Sequence, residues 1–454
     1  MNAVIEKNSK YEVEIIDIGS EGEGIGKIGE FTVFVPNTIK GDVAEILIVK
    51  LKKNYGYGKL INLITPSEYR SEAICSVAEK CGGCQVQHVD YKAQLEWKRK
   101  KVKDCITRIG GIKDIEVNET LGMEEPYYYR NKAQYPIRKI DGVVKTGFFA
   151  PRSHRLIPIE HCYIQDKVQS RILEIVIKFL QENNISIYDE ETHKGLVRHL
   201  VIRTGYYTKE VMVCLVINGK ELPKSNKLID MIKSEVDVTS IVLNHNTKKD
   251  NTILGRTCTL LDGKETITDY IGSLKFEISP LSFFQINPVQ TKVLYQKALE
   301  FAGLTGNETV WDAYCGIGTI SLFLAQDAKK VMGVEIVPEA IENAKKNAEK
   351  NGVDNAEFYV GKSEEVITKM YEEGVKADVV VVDPPRKGCE EVLLETFVKM
   401  NVEKIVYVSC DPATLGRDLG YLCRNGYKVD EVQPVDMFPH TTHVETVALL
   451  VKEA

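Results

Sequence analysis

The chain has 454 residues and 43% hydrophobic content, enough for about two to four globular domains with sizeable cores. No apolar run is long enough to span a membrane, and the start Met-Asn-Ala-Val-Ile-Glu-Lys lacks the basic and apolar regions of a signal peptide. A soluble cytoplasmic protein is therefore expected, in which eleven cysteines serve metal or catalytic roles rather than a disulfide framework. The net charge of −6 argues against a uniformly basic nucleic-acid binder, yet it is uneven. Residues 1–279 carry 41 basic and 38 acidic side chains, whereas residues 280–454 carry 18 and 27.

Residues 10–66 predict short β-strands separated by glycine-rich turns such as Gly19-Ser-Glu-Gly-Glu-Gly-Ile-Gly, the pattern of a small barrel. Lys50, Lys52, Lys53, Tyr55, Tyr57 and Lys59 mix charge with aromatic rings, as single-strand binders do. A solvated hairpin has the same composition. Next comes Cys75-x₅-Cys81-x₂-Cys84, a compact thiol loop whose best fourth partner is Cys162. Four cysteines suit a [4Fe–4S] cluster or tetrahedral zinc, and spacing alone leaves both open. Residues 92–113 hold eight Lys/Arg against two acids, either a phosphate-contacting patch or a solvated helix face. A helix at 166–183 and strands near 197–203 and 210–217 complete a mixed α+β stretch. Cys105, Cys214, Cys258, Cys315, Cys389 and Cys423 read as small apolar core residues.

From Glu308 strands and helices alternate. Strands at 309–313, 330–335, 356–360, 378–382 and 404–409 predict a parallel, doubly wound sheet. Strands at 427–432 and 446–451, with no helix between them, predict an antiparallel end. Val310-Trp-Asp-Ala-Tyr-Cys-Gly-Ile-Gly-Thr319 is a strand, a tight turn and a helix start, the geometry that admits a ligand close to the backbone. Glu335 ends the next strand, where a carboxylate can accept both ribose hydroxyls. The fourth strand delivers Asp383-Pro-Pro-Arg386, a rigid loop at the carboxyl edge. Without a phosphate-cradling lysine, this order suits S-adenosylmethionine better than a nucleoside triphosphate.

Cys410 ends the run Ile405–Ser409 and is followed by Asp411-Pro412, which sets a thiol at the same edge. Beside a methyl donor such a thiol can add to carbon 6 of uracil and turn carbon 5 into a nucleophile. Nearby positive charge, from Arg386 or Arg417, is expected to favour the thiolate. Glu445 in His443-Val-Glu-Thr446 is the candidate base.

These stretches closely resemble the RNA uracil-5-methyltransferases, in the branch acting on large-subunit rRNA. The matching segments are Phe283-Phe-Gln-Ile-Asn287, Asp312-Ala-Tyr-Cys-Gly-Ile-Gly318, Glu335, Asp383-Pro-Pro-Arg-Lys-Gly388, Ser409-Cys-Asp-Pro-Ala-Thr-Leu415 and His443-Val-Glu-Thr446. The resemblance implies that Gln285, Tyr314, Glu335 and Asp383 line the S-adenosylmethionine site. It implies Cys410 as nucleophile, Glu445 as base and Phe283 beside a flipped uracil. Asp411 stands where many members have Asn. It further implies a [4Fe–4S] cluster on Cys75, Cys81, Cys84 and Cys162, and a TRAM domain in the N-terminal barrel.

The expected organisation is a TRAM-like barrel over 1–66 and a central α+β domain with the cysteines and an RNA-binding surface over 67–280. A Rossmann-like class I methyltransferase domain follows over 281–454. The expected activity is transfer of a methyl group to carbon 5 of a 23S rRNA uridine, by a monomer with no membrane contact. The alternatives are 5-methyluridine formation in tRNA, or a non-catalytic rRNA assembly factor. Cytosine methylation is disfavoured because those enzymes typically carry a cysteine where this chain has Pro384-Pro385.

Overall fold

The computed structural model describes residues 5–453. Strands β1 (Lys10–Ile18), β2 (Gly24–Ile28), β3 (Phe31–Val35), β4 (Val43–Leu51) and β5 (Tyr55–Thr65) close into a barrel of order β1-β2-β3-β5-β4. Alternation makes it so. Val13 and Ile15, Val33 and Val35, and Ala44, Ile46 and Ile48 point inward and fill it.

Helix α1 (Tyr91–Arg108) follows the cysteine loop. Beyond it, β6 (Lys132–Ile140), β7 (Val143–Phe149), β8 (Leu156–Pro158), α2 (Val168–Glu182), β9 (Val197–Thr204), β10 (Val211–Ile217), α3 (Ser225–Lys233), β11 (Ser240–His245) and β12 (Thr257–Gly263) build a mixed sheet with two covering helices. Its order is β12-β11-β10-β9-β6-β7-β8. Strands β9 and β10 are buried on both faces, which explains why they read as continuous rather than alternating apolar runs. Cys258 departs from the expected core role. It lies exposed on β12, an edge strand with little covering it.

A hairpin of β13 (Ile267–Ile271) and β14 (Leu274–Ile278) leads to α4 (Pro288–Ala302). The remaining elements are β15 (Thr309–Ala313), α5 (Thr319–Leu324), β16 (Lys330–Glu335), α6 (Pro338–Lys350), β17 (Ala356–Val360), α7 (Ser363–Glu372), β18 (Val379–Val382), α8 (Glu391–Met400), β19 (Lys404–Ser409), α9 (Pro412–Arg424), β20 (Tyr427–Val435) and β21 (Glu445–Lys452). They form a seven-stranded sheet of order β17-β16-β15-β18-β19-β21-β20, antiparallel only at β21 and β20. This is the α/β methyltransferase fold the sequence predicts. The chain order reverses between β15 and β18, and ligands of such sheets bind outside the carboxyl ends of the strands at that point.

The basic helix α1 packs on this sheet, through Val102 and Ile106, rather than on the central one. It crosses α9 so closely that a Cβ on Gly416 would lie 2.6 Å from the Cys105 carbonyl oxygen. Its positive charges are largely spent inside the molecule. Lys98 is fully buried against Asp436, Lys100 pairs with Asp17 and Asp104, and Lys101 donates to the carbonyls of Ser20 and Thr442. Among the described residues, no helix is long and apolar enough to cross a membrane.

Candidate active site

The site lies where β15, β16, β18, β19 and β21 expose their ends. Between β15 and α5 the chain turns sharply. Tyr314 takes a φ of +88°, its amide and that of Cys315 donate to the Val334 carbonyl at 3.0 and 2.9 Å, and Gly318 has a φ of +81°. A Cβ on Gly318 would also lie 3.1 Å from the Ala344 methyl, so both backbone angle and space require glycine there. On the neighbouring strand Glu335 is half-buried and accepts the Val337 amide at 2.9 Å. Exposed Ile336 and Val337 follow it.

Carboxylates dominate the floor. Asp312 is wholly buried, accepts the Ser321 hydroxyl, and leaves Oδ1 without a partner among the described residues. Burial, reinforced by Glu335, pushes its carboxyl up to about 7. Asp383 is raised to about 7 too, by burial and the charge of Asp312. Two desolvated acids with no compensating cation fit a ligand that carries positive charge, as a sulfonium does. With Glu335 for ribose hydroxyls and an apolar shelf beside it, the residues fit S-adenosylmethionine.

Gln285 reaches the same space from the loop before α4. Its carbonyl accepts the Asn131 side chain at 3.0 Å, and the Asn131 amide donates to Ile286 at 2.9 Å. Its side chain lies near the hydroxyl of Tyr295, which meets Thr319 Oγ1 at 3.0 Å and senses the charge of Asp383. Tyr295 thus links three parts of the pocket. Sequence reasoning missed it, because a tyrosine within an ordinary helical pattern carries no signal. Phe283, two residues earlier, is 71% exposed, the most exposed large apolar side chain described. The Arg203 guanidinium holds its loop by donating to the carbonyls of Pro280 and Ser282.

Strand register brings Cys410 and Glu445 to one edge. β19 and β21 run antiparallel with Ser409 opposite Thr446, which puts the next residue of one strand beside the preceding residue of the other. Ser409 Oγ donates to the Asp411 carbonyl at 3.0 Å, and Asp411 caps α9 by accepting the Ala413 amide at 2.8 Å. The turn carrying Cys410 is therefore fixed on both sides. Burial pushes the Cys410 thiol up to about 12, with Glu445 and Asp383 adding to it and Arg386 opposing. Glu445 is buried and raised to about 8, first by burial and then by Asp383, again with Arg386 opposing.

The expected supply of positive charge is thus only half met. Arg417 does not join Arg386 at the thiol, because it is held by Asp418 and the carbonyls of Lys387 and Cys389. Nearby His443 is kept neutral, lowered to about 4 by burial and by Arg386, Lys101, Lys98 and Arg130.

The cysteine loop adjoins the segment between β20 and β21, where the Gln85 and Val86 amides donate to the His440 carbonyl. Cys162 is pushed up to about 11, by burial with Cys81 and Cys75 adding to it, while the amides of Ile164 and Gln165 face its sulfur. Cys84 is raised further, by burial and then by Cys162, Cys81 and Cys75. Cys81 accepts the Gly83 amide at 3.4 Å. The four thiols therefore share one neighbourhood, with peptide N–H groups facing the sulfurs of Cys81 and Cys162 as in iron–sulfur sites. Among the described residues, no group of three or more Cys, His, Asp or Glu side chains is set to hold a metal ion.

Comparison with known proteins gives the family. The family described as tRNA (Uracil-5-)-methyltransferase matches residues 90–453, and the TRAM domain matches residues 6–61. An uncharacterized RNA methyltransferase of Clostridium tetani is 56% identical over 447 residues, covering 98% of this chain and 97% of that protein. One from Bacillus cereus is 51% identical over 451 residues, covering 99% and 98%. The crystal structure of the Pyrococcus abyssi tRNA (uracil-54, C5)-methyltransferase with S-adenosyl-L-homocysteine is 30% identical. It superposes with a TM-score of 0.78 over 97% of this chain and 100% of that one.

Proposed function

The chain belongs to the tRNA (uracil-5-)-methyltransferase family of S-adenosylmethionine-dependent RNA methyltransferases, and on that premise we propose that it methylates carbon 5 of a uridine in 23S rRNA through a covalent adduct on Cys410. The observation that carries the covalent reading is the register of β19 on β21, with Ser409 opposite Thr446. It supports a thiol and a carboxyl working on one base from one edge.

In this reading Gln285, Tyr314, Glu335 and Asp383 hold S-adenosylmethionine, which supplies an electrophilic methyl group and leaves as S-adenosylhomocysteine. Phe283 stacks against the RNA bases around a flipped uracil, offsetting part of the cost of unstacking it. The Cys410 thiolate adds to carbon 6 and forms a carbon–sulfur bond, moving the ring double-bond pair toward carbon 5. Carbon 5 takes the methyl group as the carbon–sulfonium bond breaks. Glu445 then removes the hydrogen of carbon 5 as a proton. The freed pair restores the ring double bond while the bond to Cys410 breaks and the thiolate returns. A carboxylate raised to about 8 is a stronger base than an ordinary one, which suits abstraction from carbon.

RNA containing 5-fluorouridine tests this. Fluorine at carbon 5 cannot leave as a proton does, so the adduct persists on a denaturing gel. Cys410→Ala is expected to abolish it. An adduct that survives the substitution contradicts the role given to Cys410.

The rRNA target rests on the resemblance, in which the barrel and the four cysteines mark the rRNA branch. Methylation of a tRNA uridine is the second reading, favoured by the Pyrococcus abyssi relative, a tRNA (uracil-54, C5)-methyltransferase that this chain covers throughout. We also assign the [4Fe–4S] cluster to Cys75, Cys81, Cys84 and Cys162, in a structural role.

A further inference from the structure

Glu445 opens β21, and the nine residues before it, 436–444, form neither helix nor strand. This strap is nonetheless buried at Asp436, Met437, His440, Thr441, Thr442 and Val444. Irregular backbone is normally a surface feature, because its polar groups need partners. Here the partners come from outside the catalytic sheet. Gln94 of α1 accepts the His440 amide on Oε1 at 3.0 Å, while its Nε2 donates to Val89 O at 2.8 Å and lies 3.2 Å from His440 Nδ1.

The His440 ring stacks on Tyr127 at 4.4 Å and 24°. Its carbonyl accepts the amides of Gln85 and Val86, both at 3.1 Å, directly after Cys84. The Tyr129 hydroxyl donates to Pro439 O at 3.0 Å, and the buried Lys98 ammonium to Asp436 and, at 3.1 Å, to Phe438 O. His440 itself has a φ of +66°. A non-glycine residue keeps that conformation only where its surroundings over-determine it.

Cys410 is anchored separately, by Ser409 and the Asp411 cap of α9. Nucleophile and base share an edge through the pairing of β19 with β21, but the irregular segments that adjoin them are held by different groups. We propose that Gln94 and Tyr127 are positioning residues for Glu445, which hold the strap at His440 so that the carboxylate meets the hydrogen of carbon 5. Methyl-donor binding and attack by Cys410 do not depend on them. This rests on the reading of Glu445 as base.

The two halves of the reaction separate experimentally. Trapping by 5-fluorouridine RNA needs attack and methyl transfer but not the base. Release of product from uridine RNA needs the base as well. The full-length variants Gln94→Leu and Tyr127→Leu are expected to bind S-adenosylmethionine and to trap 5-fluorouridine RNA like the parent. On uridine RNA they should accumulate a denaturation-stable adduct that already carries labelled methyl, with release slowed about tenfold or more. Glu445→Gln, run alongside, should do the same more completely. If release and trapping fall together in both positioning variants, or release is unchanged in both, while Glu445→Gln accumulates the adduct, the positioning role is overturned. If Glu445→Gln accumulates none, the base assignment itself fails.

Discussion

Asp312 and Glu445 are buried acids and Asp383 a half-buried one, raised to about 7, 8 and 7, and desolvation is the first cause in each, opposed by Arg386 only at Glu445. Each binds its proton more tightly folded than unfolded, so the stability it contributes is present in acid and lost as pH rises through about 4 to 8. A bound sulfonium reverses that burden. Affinity for S-adenosylmethionine is therefore expected to climb with pH between about 6 and 8, as Asp383 and Asp312 ionise, while the neutral S-adenosylhomocysteine gains much less. Titration calorimetry of both ligands across that range checks it, and equal pH slopes for the two would contradict it. At this scale the sequence shows Cys410 and Glu445 as motif residues, and the order of the motifs supports the roles proposed for them. It does not show that Glu445 is buried, nor that Arg417 is engaged with Asp418. Both depend on packing between segments that no local pattern reports.

At the scale of elements, alternation and glycine turns were readable wherever a strand or helix buries one face against its neighbour. The barrel and the five parallel strands were therefore legible. Helix α1 was not. Eight basic residues over 92–113 look like a phosphate-contacting face or a solvated one, yet Lys98 is a wholly buried partner of Asp436 and Lys101 holds the strap at Thr442. Removing one partner of such a buried pair typically costs about 3–5 kcal/mol, so these charges fasten elements together. The cysteine loop is fastened to the same strap by the Gln85 and Val86 amides. Protein purified without oxygen is expected to be coloured, with about four iron and four sulfide per chain and visible absorbance. A colourless, zinc-loaded protein would sink the cluster assignment.

For the molecule as a whole, the sheet order and the family follow from the sequence with little ambiguity, because the motifs fall at successive strand ends and a doubly wound sheet gathers strand ends along one edge. The choice of RNA is different. In the proposed reading it depends on the shape of a surface that includes the barrel and the loop carrying Phe283, and RNA is recognised largely by shape and by unpaired bases. Such a surface has no readable spacing. The most direct measurement incubates the purified protein and labelled S-adenosylmethionine with total RNA from a strain lacking the gene, then maps the label by nucleoside and by RNA. The expected result is 5-methyluridine in 23S rRNA, lost with Cys410→Ala; label confined to tRNA, or found on another nucleoside, would contradict the account.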